Sequence, residues 1–411
     1  MVTTSVETDG SAPGAPPRGR YRSLDGVRGL AAFAVVVCHC FLTIPALAQA
    51  YVDPNVMDRT SPSGIAAFSP LHVAWAGTEA VYLFFVLSGF VLTLPFARAN
   101  PASWAGYYPK RILRLYLPVW AAFVLAFAGL SLFPREFPAE ASLWLHAHVP
   151  ALPARAIVDD LLLYRGPGLS NSALWSLRFE VLFSLLLPVY VFAGRKLPKL
   201  NVLKAVLLMA AVLGYSGTGL SARFFLPMFG FGCLMAIERE RLANLGEAID
   251  RLRFGRAVWW AVTLAALLLL NSYWTVRGMT SDPSALAFWV PVSRGLIVAG
   301  ACLAIFAAVA GPARWLETAP LQWLGTRSFS LYLVHEPIVV SAAVALGGTP
   351  TLPVILAVAV PISLAVAEVF YRVVERPSQR LGRLVSQRVE TRRATRRAPV
   401  AEPVPAAPAG P

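Results

Sequence analysis

Ten apolar runs divide this chain, and they constrain its fold more than any other feature. They span about 29–47, 74–95, 118–133, 174–193, 202–217, 223–237, 257–273, 288–310, 329–346 and 352–371. Most approach the roughly 20 residues that an α-helix needs to cross a bilayer. In hydrocarbon each backbone N–H and C=O must find its partner inside the protein, so runs of this length predict helices. Composition agrees. The chain is 57% hydrophobic and only 14% charged, whereas soluble domains carry about 25% charged residues. The expected fold class is all-α, a polytopic integral membrane bundle of about ten transmembrane helices.

The basic residues test that map. If the N-terminus is cytoplasmic, 28 of the 36 lysines and arginines fall on inner segments, nine of them from Arg372 to Arg397. The other eight (Arg59, Arg135, Arg155, Arg165, Arg178, Arg223, Arg277 and Arg294) are spread over outer loops and bordering spans. This is the positive-inside asymmetry, and it predicts a multi-pass cell-membrane protein with an even number of spans and both termini in the cytoplasm. It also accounts for the net charge of +14 without nucleic acid, since no zinc finger, RNA-binding signature or basic region with heptads is present. Residues 1–20 read as a disordered cytoplasmic tail, 21–377 as the membrane domain, and 378–411 as a basic, Pro/Ala-rich disordered tail. Ala46-Leu47-Ala48 mimics a signal-peptidase site, but the long polar lead and a mid-run histidine predict a retained first helix. The longest outer segment, about 134–173, carries Trp144, His146, His148, Asp159, Asp160 and Tyr164. It is too polar to span and reads as a lid or acceptor-facing loop.

That mid-run histidine is His39. An ionisable side chain deep in hydrocarbon is costly and functional by default, although a histidine that only bonds a neighbouring helix fits the same position. Cys38 and Cys40 flank it, yet residues i and i+2 of a helix point about 200° apart and cannot converge with the imidazole on one metal ion. All four cysteines lie in predicted spans, so neither a metal site nor a disulfide framework is expected.

Further constellations follow. Asp25 and Arg28 (i, i+3) can pair at the inner mouth of the first helix, with Gly26 and Gly29 permitting close helix approach; Arg28 serves equally as a membrane-surface anchor. Ser88-Gly89 in the second span reads first as packing, and Glu79 near its outer end as facing a water-filled path. Arg111 and Arg114 project from one helical face, where planar guanidinium forks suit phosphate oxygens or simply anchor the inner side. Glu180 lies a turn inside the fourth span. Arg178, two residues away, points elsewhere, so Glu180 is expected to meet another helix in a structural or functional role. Tyr332 and His335 share a face of the ninth span, and Glu375 and Arg376 close the tenth.

The ordered segments LDGVRGLAA…VVVCHC, FFVLSGFVL, KRILRLYLP, LWSLRFE, LGTRSFSLYLVHEP and VVERP resemble the acyltransferase family 3 membrane proteins across about residues 21–377. The resemblance implies a ten-helix bundle that transfers an acyl group, often acetyl, from cytoplasmic acyl-CoA to a hydroxyl, typically on a sugar. It implies functional roles for His39 and for the R-x-x-R pair Arg111 and Arg114. One position departs: Tyr82 stands where the family often has an acid, with Glu79 a turn away. Many members also carry a fused hydrolase-like domain, for which this sequence has only a tail.

A mechanism fits these residues. Arg111, Arg114 and Arg28 would hold the phosphates of acyl-CoA, a donor substrate rather than a bound cofactor, while its arm carries the thioester to the level of His39. The imidazole would act as general base on the acceptor hydroxyl, with acyl-histidine as a covalent variant. Tyr332, Ser88 or His335 would stabilise the oxyanion, and Glu180 belongs to the same candidate set. The acceptor is expected on a surface glycan, a lipid-linked saccharide or a glycosylated metabolite. The competing reading is a non-catalytic transporter or flippase using the same ionisable groups as a proton relay, although no internal repeat supports it.

Overall fold

The structure, a computed structural model, describes residues 21–98, 101–165 and 168–397. The segments 1–20 and 398–411, both predicted as tails, lie outside the described residues. The fold is all-helical, 79% helix with no strand among the described residues. The principal helices are α1 (Arg22–Leu42), α2 (Gly77–Thr93), α3 (Trp104–Leu132), α4 (Leu174–Arg195), α5 (Asn201–Gly214), α6 (Ala222–Ile237), α7 (Gly255–Leu270), α8 (Pro283–Ala310), α9 (Ala319–Ala345), α10 (Leu352–Phe370) and α11 (Arg376–Arg397).

The expected count of ten spans needs qualification. Among the described residues, six helical stretches are long and apolar enough to cross a bilayer, those carrying α1, α3, α4, α8, α9 and α10. A seventh arises if α7 is joined to Ser272–Met279, across a 59° bend. The helices α2 and α6 are apolar but shorter. Asn271 marks that bend, and its side-chain amide donates to the Ser69 carbonyl at 3.1 Å.

Among the boundaries that differ from the sequence reading, two have clear physical reasons. Helix α3 starts at Trp104 and continues through Pro109 and Pro118, well before the predicted run at 118. Of the charges that interrupt apolarity there, Arg111 is buried and paired with Glu180 inside the protein. The chain after residue 377 is also not disordered up to Arg397. A π-helical turn, Tyr371–Glu375, carries α10 directly into α11, which packs along the first half of α3. Glycine allows that contact: a Cβ on Gly106 would stand 2.2 Å from Glu390 Oε1.

The centre is built by α1 against α9 and by α2 against α6. A Cβ on Gly29 would lie 2.7 Å from the Gly325 nitrogen, so these backbones meet as closely as small residues allow. Ser23 Oγ donates to the Ala308 carbonyl and joins α1 to α8. Outward positions such as Val124, Val202 and Trp260 are exposed and apolar, the surface expected of helices facing lipid. This bundle is a membrane protein, and its core lies where α1, α2, α4 and α9 converge.

Candidate active site

One cavity, about 110 Å³, opens between α1, α2, α3, α4 and α9. Six of the eight residues given roles in the mechanism read from the sequence line it: Arg28, Ser88, Arg111, Arg114, Glu180 and Tyr332. Its remaining wall is mainly apolar, with Phe84 and Phe85 from α2. The cavity thus combines guanidinium groups with a slot for an apolar chain.

The three arginines are not equivalent. Arg28 donates to Asp25 at 3.1 Å, the predicted i, i+3 pair. Arg111 is buried; its Nε donates to Ser184 Oγ at 3.0 Å and its Nη2 pairs with Glu180. Ser88 Oγ also donates to Glu180, at 3.3 Å. Glu180 therefore meets another helix as its depth required, and it neutralises Arg111. Arg114 lies in the field of Glu375 and Glu180, yet among the described residues no hydrogen bond or ion pair fixes its guanidinium. Of the predicted phosphate pair, Arg114 is the available charge and Arg111 the anchored one.

His39 and His335 lie beyond Tyr332 and form a second centre. Their rings are nearly coplanar, 14° apart with centroids at 4.8 Å, and His335 Nε2 stands 2.8 Å from His39 Nδ1. The tautomers follow from the partners. His335 Nδ1 faces two carbonyls, Tyr332 at 2.8 Å and Leu331 at 3.1 Å. Carbonyls only accept, so Nδ1 carries the proton of a neutral His335 and Nε2 presents its lone pair. His39 must then donate from Nδ1, which leaves His39 Nε2, among the described residues, as a free acceptor. His335 consequently has no proton to offer an oxyanion and instead orients His39. The Tyr332 hydroxyl donates to the Ala173 carbonyl at 3.0 Å and lies 2.7 Å from Ser176 Oγ.

A third layer comes from the polar segment 134–173. Trp144 stacks on His39 with centroids 5.2 Å apart. His148 meets Trp144 edge-on, donates from Nδ1 to its carbonyl at 2.8 Å, and places Nε2 3.0 Å from Glu336 Oε1. Glu336 also accepts from Ser172 N at 2.8 Å, Ser172 Oγ at 2.7 Å and Ala173 N at 2.8 Å. This buried carboxylate latches the middle and the C-terminal end of the segment to α9, next to the histidine pair. Glu336 lies in the LGTRSFSLYLVHEP motif without an assigned role, although an acid inside an apolar run signals a buried partner. The partner, 188 residues distant, could not be read from spacing. Glu79 and Tyr82 line a different cavity, not this one.

Helical bundles host many chemistries, so the class rests on the match of the whole chain. Residues 21–372 match the acyltransferase domain family designated acyltransferase 3, and the chain belongs to that family. It is therefore an acyltransferase, and the transporter reading is set aside. It is 27% identical over 396 residues to Acyltransferase MdmB of Streptomyces mycarofaciens, which covers 89% of this chain and 94% of that one. It is also 27% identical over 362 residues to the putative peptidoglycan O-acetyltransferase YrhL of Bacillus subtilis (strain 168), covering 78% of this chain and 54% of that one. No solved structure matches the chain.

Proposed function

We propose that this protein is a ten-span O-acyltransferase of the cell membrane, with both termini in the cytoplasm. It moves an acyl group, acetyl in the simplest case, from acyl-CoA to a sugar hydroxyl. The observation that carries this reading is the bare His39 Nε2, held by His335 beyond a cavity that contains an unpaired arginine. Arg28 and His39 are eleven residues apart on α1, roughly 16 Å at the rise of an α-helix. That separation suits a donor whose phosphates stay at the inner rim while its arm reaches inward. The acetyl group and the glycan hydroxyl also draw support from the relative described as a putative peptidoglycan O-acetyltransferase.

In this mechanism Arg114 binds a donor phosphate, Arg111 is positioned by Glu180, and the apolar wall accepts the arm. The acceptor hydroxyl attacks the thioester carbon while its proton passes to His39 Nε2. Tyr332 turns its O–H from the Ala173 carbonyl toward the developing oxyanion. The C–S bond then breaks, and the imidazolium returns its proton to the leaving sulfur, giving free CoA thiol and the acyl ester. His335 keeps His39 in the productive tautomer throughout.

The test is mass spectrometry of glycans, lipids and secreted metabolites from null and complemented cells, beside thiol release from acetyl-CoA by the purified protein. The expected result is one species that loses an acyl increment in the null strain and regains it on complementation. Identical profiles together with no thiol release would overturn the proposal.

A further inference from the structure

A second cavity, about 150 Å³, lies apart from the donor pocket and is lined by Tyr51, Glu79, Tyr82, Tyr273, Trp274 and Arg294. It holds on the order of ten water-sized groups, at ~10–15 Å³ each. That is near the heavy-atom count of one hexose ring. Its polar groups are incompletely used. Glu79 is buried; Oε1 accepts from Trp274 Nε1 at 2.9 Å, whereas among the described residues buried Oε2 has no hydrogen-bond partner. Buried carboxylate oxygens rarely stay unsatisfied, because desolvation without a bond is costly. Arg294 rests over the rings of Tyr273 and Phe224, at 5.9 and 5.7 Å from their centroids. Among the described residues it forms no hydrogen bond or ion pair.

We infer that this cavity is a saccharide subsite, in which the acceptor sugar lays its C–H face on the aromatic wall and donates a hydroxyl to Glu79 Oε2. Three requirements of a sugar meet here: flat aromatic surface, a carboxylate oxygen that accepts from a hydroxyl, and a guanidinium that donates to ring or hydroxyl oxygens. An apolar acyl chain would leave Glu79 Oε2 unsatisfied. The cavity is also level with the proposed base. Tyr51 lies 3.3 Å from Cys38, the residue before His39, and a Cβ on Gly77 at the start of α2 would stand 2.7 Å from Cys38 Sγ. The two centres occupy different faces of α1 at one depth. This arrangement suits an acceptor larger than one ring, gripped by one sugar while another group reaches the thioester. The inference rests on the proposed transfer to a sugar hydroxyl.

Saturation-transfer NMR on the full-length protein in detergent tests it, with an equimolar mixture of methyl glucoside, methyl mannoside and methyl N-acetylglucosaminide as probes. Wild-type protein should transfer saturation to the ring C–H protons of at least one glycoside. Glu79→Leu should weaken that binding about tenfold or more, the effect of removing a charged hydrogen-bonding partner. Arg294→Met, at a half-buried position, should also weaken it, which guards against a folding defect confined to Glu79→Leu. No transfer to any of the three glycosides, or transfer unchanged in both cavity variants, would overturn the subsite. Glycoside binding that needs Glu79, in a protein that never turns over acetyl-CoA, would uphold the subsite and sink the transfer reading instead.

Discussion

The arginine-lined pocket and the histidine centre share α1 and α9 but are finished to different degrees. In the histidine centre each ring nitrogen of His335 has a partner, and Glu336 accepts four hydrogen bonds that tie the 134–173 segment to the bundle. One acceptor, His39 Nε2, is left over. In the pocket a paired arginine and an unpaired one stand beside an apolar slot. The contrast separates two tasks. A base works best when its geometry is fixed before the substrate arrives, whereas a donor site needs charge not already spent on the protein.

The largest expected effect breaks or upholds that division directly. His39→Gln should lower turnover by about 10²–10⁴-fold, the usual range for loss of a general base, while acetyl-CoA affinity stays at the wild-type value. Near-normal turnover would make His39 a structural donor only. Next in size is the latch. Glu336→Ala strands Ser172 N, Ala173 N and His148 around a missing carboxylate, and breaking a buried charged cluster from one side costs about 3–5 kcal/mol. Thermal unfolding should report that loss; an unchanged midpoint would show that the loop is held by other contacts. The smallest effect sharpens the contrast within the pocket. Arg114→Ala should weaken acetyl-CoA binding by about ten- to a hundredfold, as charged hydrogen bonds are worth roughly 1.5–3 kcal/mol, with little change in stability. Arg111→Ala should instead show mainly as lost stability, because Glu180 is left without its partner. Equal effects on affinity and stability in both variants would erase the distinction.

The sequence displayed the helices and the rare ionisable residues within them, because both break the statistics of an apolar run. His39, Arg111, Arg114 and Glu180 stood out for that reason. Their partners did not. That Glu180 takes Arg111, or that Glu336 takes His148, depends on how helices cross, and no spacing along the chain encodes it. Helix α3 was shortened in the sequence reading because Lys110, Arg111 and Arg114 look like the end of a span, when Arg111 is buried against α4. Helix α11 was missed because its composition is that of a solvated tail, and its contact with α3 depends on glycines spread over both segments.

The central claim is the protonation pattern of His39, and nitrogen-15 NMR of histidine-labelled protein reads it directly, with the His39 signals assigned by their loss in His39→Gln. The account predicts a neutral ring protonated at Nδ1, with a bare, pyridine-type Nε2. A His39 ring protonated at Nε2 with Nδ1 bare would contradict it, because the nitrogen left to accept the acceptor's proton would then be the one facing His335.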